Sequence, residues 1–218
     1  MARRRKSRRA LSRRKRAVLI GICLIGTAFL VWLDRDTGSL GWLDSPTPHR
    51  REAAADLARY HGQRFAVARV VDGDTLHLAV ADPPDEVTKV RLLGIDAPET
   101  GTGGGDRMYF AEEATTSARR LALGQEVGVY LDERAGSRDR YERLLAYIEL
   151  PDGRFLNEVL LFEGCAYADR RFRHSYFQKY QQLEASARAL GEGLWKNVKP
   201  EQMPSWLQRE LSKSPAWQ

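Results

Sequence analysis

Apolar positions recur with two different periods along this chain. Runs that alternate with polar residues or are continuously apolar occupy residues 65–71, 76–80, 87–95, 126–131 and 144–149, and they predict five short β-strands. Turn chemistry separates them: Asp72-Gly73-Asp74 lies between the first two runs as a hairpin signal, Asp82-Pro83-Pro84-Asp85 precedes the third, and Pro151-Asp152-Gly153 follows the fifth. Helical spacing governs the rest. Phe110, Ala114, Ala118 and Leu121 predict a helix over 108–123 that stops at Gly124, residues 154–163 predict a second ended by Gly164, and Tyr176, Tyr180, Leu183, Ala187 and Leu190 predict a third over 175–190 before Gly191. Those stripes are core faces rather than sites.

Five short strands closed by about three packed helices define an α+β chain, and they fit the small five-stranded Greek-key β-barrel known as the OB-fold, whose open face commonly holds nucleic acid. A length of 218 residues suits one such domain of about 130 residues with extensions at both ends. The domain is placed at 63–196, with a tail at 197–218 in which Pro200, Pro204 and Pro215 surround a short helix expected at 205–211. That tail receives no function.

A third pattern precedes the barrel. Residues 17–33, AVLIGICLIGTAFLVWL, carry no charge, and as a helix would span about 25 Å. Flanked by Arg16 and interfacial Trp32, this run is read as one N-terminal transmembrane helix. The preceding residues 1–16 hold ten Lys and Arg and no acid, which places them in the cytoplasm and the barrel on the extracytoplasmic side. The alternative is secretion after signal cleavage, but Trp32-Leu33-Asp34-Arg35 offers no small-residue cleavage site, so an uncleaved anchor is the favoured reading. Residues 34–62, rich in Gly, Ser and Pro before a helical patch at 53–60, are read as a linker.

The tail also changes what charge means here. The chain has 35 basic and 29 acidic residues, net +6, yet without residues 1–16 it has 25 basic against 29 acidic, net −4. Global basicity is therefore no argument for a nucleic-acid surface on the barrel. Cys165 is the one cysteine beyond the apolar run, so no disulfide forms within the barrel.

Chemistry concentrates between residues 70 and 100. The strand pattern puts Asp74 after the first hairpin turn and Asp96 where the third run ends, at neighbouring strand ends, with Arg91 on the same strand and Glu99 just past Pro98. Converging carboxylates repel unless a proton or cation lies between them, and oxygen donors without a nearby His or Cys suit Ca²⁺ or Mg²⁺. Either fragment alone reads more simply as a turn or a loop. Their joint occurrence points to a site.

The segments VVDGDT at 70–75, RLLGIDAPET at 91–100 and DRYERLLAY at 139–147, followed by Asn157-Glu158, Gly164 and Gly193-Leu194-Trp195, together resemble the staphylococcal nuclease (thermonuclease) family over roughly residues 64–196. The resemblance implies the same fold and a phosphodiester hydrolase of endonuclease type that uses Ca²⁺ and leaves 3′-phosphate ends on DNA, with RNA as a further substrate. It implies Asp74, Asp96 and the backbone carbonyl of Ala97 as metal ligands, Glu99 as general base, and Arg91 and Arg143 as the phosphate clamp. It further implies Arg140 and Tyr141 beside the bound nucleotide, with Asp72 supporting the turn. Residues 169–174, Asp-Arg-Arg-Phe-Arg-His, fall near further aromatic contacts of the family and read equally well as a local basic patch or a solvated loop. One departure stands out: Glu142 occupies a position where the family motif usually has Gly, which should hinder a positive φ and bring a carboxylate beside Arg143. The rival function is a non-catalytic module of the same fold that binds nucleic acid or protein. The expected partners are nucleic acid and the membrane, for a monomeric protein.

Overall fold

The computed structural model describes residues 48–101 and 106–213. The basic tail, the apolar run at 17–33 and residues 34–47 of the expected linker lie outside the described residues. Among the described residues no helix is long and apolar enough to cross a membrane.

The five expected strands form a closed barrel. β1 (Gln63–Val70), β2 (Thr75–Leu78), β3 (Thr88–Leu92), β5 (Glu126–Tyr130) and β6 (Leu144–Glu149) close in the order β1-β2-β3-β6-β5. Every neighbouring pair is antiparallel except β3 and β6, which run parallel. β1 serves two partners: residues Gln63 to Ala66 pair with β5, and Val67 onward pairs with β2 across a register shift between Val67 and Arg69. Such an irregularity bends the strand, which is how one short strand reaches both neighbours and shuts the barrel. The interior is filled by Leu76, Leu78, Val90, Leu92, Val127, Val129, Leu144, Ala146 and Ile148, all buried.

The long third run divides. β3 ends at Leu92, Gly94 turns at φ 80°, and Ile95–Asp96 form a separate two-residue strand, β4, paired with β7 (Tyr167–Ala168). Asp96 therefore belongs to a small second sheet rather than to the barrel.

Five helices surround the barrel among the described residues, against the three or so expected. The anticipated ones are α2 (Ala111–Ala122), α3 (Leu156–Phe162) and α4 (Phe177–Leu190). Ala111, Ala114, Ala118 and Ala122 give α2 a buried face of small residues, so the helix lies close to the hairpin. A Cβ on Gly73 would stand 2.6 Å from that of Ala97 and 3.2 Å from that of Ala114, so glycine alone fits this turn. Asn157, fully buried at the start of α3, accepts from Ile148 N–H at 3.0 Å and donates to the carbonyls of Leu93 and Ala146, pinning β6 to the end of β3.

The two further helices come from segments expected to be peripheral. α1 (Pro48–Tyr60) occupies the end of the expected linker and packs on the barrel: Tyr60 is fully buried with its hydroxyl 3.2 Å from Thr88 Oγ1. α5 (Ser205–Leu211), in the expected tail, joins Met203, Trp206 and Leu207 to Tyr167 and Leu194 in a second small core.

Candidate active site

The hairpin turn delivers the first carboxylate. Asp72 Oδ1 accepts the Asp74 N–H at 3.0 Å, closing the turn and directing Asp74 inward. Asp74 is 1% exposed; its Oδ1 accepts from Thr75 Oγ1 and from Arg91, and its Oδ2 accepts the Ala97 N–H at 2.6 Å.

Arg91, opposite Thr75 in the β2–β3 register, binds both carboxylates: one terminal nitrogen reaches Asp74 and the other reaches Asp96 Oδ1 at 2.5 Å. Asp74 and Asp96 are thus brought together, with a guanidinium between them. Burial pushes the Asp74 carboxyl well above the usual carboxylate range; Arg91 opposes this, while Asp72 and Asp96 add to it. Burial also works against the charge of Arg91, yet Asp74, Asp96 and Asp72 together hold its pKa above that of a free arginine.

Arg143, before β6, comes from the loop between β5 and β6. Asp139 organises that loop: its Oδ1 accepts the N–H groups of Tyr141 and Arg143 at 2.9 and 3.0 Å, and its Oδ2 accepts Arg143 Nε at 2.8 Å. Glu142 does not compete for the arginine. It takes φ 60° despite its Cβ, its carbonyl accepts from Arg138, and the loop closes as a glycine would close it. Arg143 also donates to Thr75 Oγ1 at 3.3 Å, and that hydroxyl donates onward to Asp74, so one threonine connects the second arginine to the first carboxylate.

Glu99 lies in the field of the same charges. Burial, Asp72 and Asp96 raise its carboxyl above the usual value while Arg91 and Arg143 pull it down. Its own carbonyl accepts the Met108 N–H at 2.9 Å. Tyr141 is 61% exposed, with the guanidinium carbons of Arg140 and Arg143 at 4.7 and 5.4 Å from its ring centre. This exposed, cation-flanked ring is suited to stacking on a base of any identity.

Segment 169–174 is tied down by ion pairs at Arg170 and Arg171 and by burial of Asp169 and His174. Arg170 pairs with buried Glu184 at 2.7 Å, Arg171 pairs with Asp169 and reaches Asp96 Oδ1 at 3.1 Å, and His174 is buried. Arg171, Phe172 and Arg173 are exposed, Phe172 at 62%.

Sequence reasoning gave no role to Thr75, Asp139, Arg138 or Trp206. Thr75 stands inside a motif and was overlooked for its neighbour. Asp139 lies four residues before Arg143, a spacing that signals an ion pair. Arg138 and Trp206 carry no local signal, because their partners Asp56 and Asp96 lie 82 and 110 positions away.

The donor set bears on a metal. Among the described residues no group of three or more His, Cys, Asp or Glu stands ready to hold an ion. Asp74 and Asp96 nevertheless offer oxygen donors only, and Asp72 and Glu99 add negative charge beyond what Arg91 matches. This set fits a hard divalent cation held by few protein ligands, and therefore weakly. Ala97 meets Asp74 through its N–H.

A small barrel with a buried aspartate pair bridged by one arginine, a second arginine joined to Asp74 through the Thr75 hydroxyl, and a nearby glutamate fits a phosphodiester-cleaving class of site. Residues 89–197 match the family described as staphylococcal nuclease homologue. The chain is 32% identical to a thermonuclease of Staphylococcus hyicus over 145 residues, covering 66% of this chain and 82% of that protein. It is 32% identical to an uncharacterized endonuclease of Escherichia coli over 152 residues, 70% and 86% of the two chains, and to a micrococcal nuclease of Shigella flexneri over 159 residues, 69% and 83%. The chain belongs to the staphylococcal nuclease family and is a phosphodiester-hydrolysing nuclease acting on nucleic acid.

Proposed function

We propose that this nuclease is calcium-dependent, cleaves DNA and also accepts RNA, and leaves 3′-phosphate ends. The observation that carries the reading is the chain of contacts Asp96–Arg91–Asp74–Thr75–Arg143, which collects the candidate ligands and both arginines around one point.

Asp74 and Asp96, with the Ala97 carbonyl, would hold Ca²⁺, which when bound would supply positive charge against the phosphate and a polarised water. Everything else falls to the chain. Arg143 spends N–H groups on Asp139 and Thr75 and retains others, since a guanidinium has five, so it can meet a phosphoryl oxygen without leaving its place. Arg91 is fixed by its two aspartates and presents its charge to the same phosphate. Glu99, whose proton affinity is raised by burial and by its acidic neighbours, takes the proton from the attacking water. Tyr141 and Arg140 hold the adjacent nucleotide.

The same proposal anchors the protein in a membrane through residues 17–33, with 1–16 cytoplasmic and the nuclease outside, as a monomer. The uncharged run and its basic flank support this, and a weak calcium site suits the calcium-rich exterior. The full-length protein, incubated with single-stranded DNA, duplex DNA and RNA, should cleave with added Ca²⁺, stop with a chelator, and yield ends that a polymerase extends only after a 3′-phosphatase is supplied. Cleavage undiminished by chelator, or ends carrying 3′-hydroxyls, would overturn the proposal.

A further inference from the structure

The C-terminal segment, beyond the matched residues 89–197, reaches into the site. Trp206, in the first turn of α5, donates its indole N–H to Asp96 Oδ2 at 2.8 Å, a bond that is buried at both ends. Arg171 stands over the same indole, its guanidinium carbon 5.1 Å from the ring centre, and reaches the other oxygen of Asp96. Asp96 is thereby held on both oxygens: Oδ1 by Arg91 and Arg171, Oδ2 by Trp206. α5 is itself fixed from two sides, by the core of Tyr167, Leu194, Met203 and Leu207 and by Glu210, 3.8 Å from Arg170.

Asp96 sits on a two-residue strand outside the barrel, so the barrel alone does not set its side chain. The terminal torsion of an aspartate is broad, and a carboxylate fixed at one oxygen alone can rotate about that contact. An indole N–H donates a single bond in one direction and has no acceptor to offer in exchange. It therefore fixes the plane of the carboxylate and leaves the second lone pair of Oδ2 for a cation. Hydrogen bonds of this kind to a ligating carboxylate are worth a substantial part of a metal's affinity.

We infer that Trp206 is a positioning residue for Asp96, and that the segment carrying it is part of the active site rather than a tail. The inference rests on the reading of Asp96 as a calcium ligand.

Trp206→Phe keeps an aromatic ring among Tyr167, Leu194, Met203 and Leu207 and removes only the donor. Leu207→Ala loosens the same helix and leaves the donor in place. Ca²⁺ affinity of the full-length proteins, titrated with Ca²⁺ alone, and thermal unfolding are measured side by side, with Asp96→Asn as reference. Trp206→Phe should bind Ca²⁺ about tenfold more weakly, whereas Leu207→Ala should unfold at lower temperature with its Ca²⁺ affinity unchanged. Equal or tighter binding by Trp206→Phe overturns the inference while the calcium reading stands. A loss in Leu207→Ala as large as that in Trp206→Phe also overturns it, by reducing the residue to packing. If the unsubstituted protein binds no Ca²⁺, or binds it no better than Asp96→Asn, the calcium reading fails and the inference falls with it.

Discussion

Arg138 holds Asp56 with two nitrogens, Nε at 2.9 Å and a terminal nitrogen at 2.7 Å, joining the first described helix to the loop that carries Arg143. The same guanidinium reaches Asp82 at 2.6 Å in the β2–β3 connection and the Glu142 carbonyl at 3.1 Å, and Ser137 Oγ donates to Asp56 at 2.8 Å. Three segments remote in sequence meet in this one network.

Removing the aspartate should therefore be felt at the site as well as in the fold. Asp56→Ala leaves Arg138 with only Asp82 as a charged partner in a partly buried position, which should cost about 2 kcal/mol, below the figure for a fully buried pair because Arg138 retains some solvent. The loop holding Arg140, Tyr141 and Arg143 loses one of its anchors. Denaturant unfolding should show the stability loss, and cleavage kinetics should show a raised KM from a less ordered loop. Unchanged stability and unchanged kinetics would mean that helix α1 merely rests against the barrel.

Glu142 bears a cost that a glycine would not. A non-glycine residue in the left-handed region is strained by about 1 kcal/mol or more, and here φ is 60°. Glu142→Gly should raise stability by about 0.5 kcal/mol, after the greater entropy of an unfolded glycine is subtracted. Phosphate affinity should change little, because Asp139 rather than Glu142 pairs with Arg143. A destabilised Glu142→Gly protein would contradict the strain argument.

His174 makes stability depend on pH. Tyr147 gives its hydroxyl proton to Asp132 at 2.7 Å, so its oxygen accepts from His174 Nδ1 at 2.9 Å and Nε2 carries the lone pair. That Nε2 is buried without a hydrogen-bond partner, and burial lowers the histidine's pKa against the opposing pull of Asp132 and Asp169. The folded protein thus resists a proton that the unfolded chain accepts near pH 6.5. The unfolded state binds more protons between the two values, so the contribution is complete above about pH 6.5 and is lost as pH falls below it toward the folded value. Unfolding free energies measured from pH 7.5 to 5 should show this decline, and His174→Gln should flatten it. An equal slope in the variant would assign the effect to other groups.

Much of this was legible in the sequence, for a physical reason in each case. Barrel strands show themselves by alternation, and Asp74, Arg91, Asp96 and Glu99 sit where strand and turn geometry brings them together, whereas Arg143 was legible only through the resemblance of its motif. What escaped depends on long-range closure. Trp206 and Asp96 have no periodic relation, and although a helical patch at 53–60 was legible, its packing on the barrel was not, because its buried residues, Asp56 and Tyr60, are few. Phe110 at φ 68° and Glu142 at φ 60° escaped because neither is the residue that such backbone angles favour. The division of the third strand escaped because Leu92, Leu93 and Ile95 are continuously apolar across a turn that only Gly94 marks.

The most direct test of the whole account is single-turnover cleavage of labelled duplex DNA in Ca²⁺ by the full-length protein, beside Arg143→Ala and Glu99→Gln. Both variants should still bind the DNA, and each should cleave about 10²- to 10³-fold more slowly, since each removes a group that acts on charge or a proton in the transition state. Cleavage at the unsubstituted rate in both variants would place the chemistry elsewhere in the molecule.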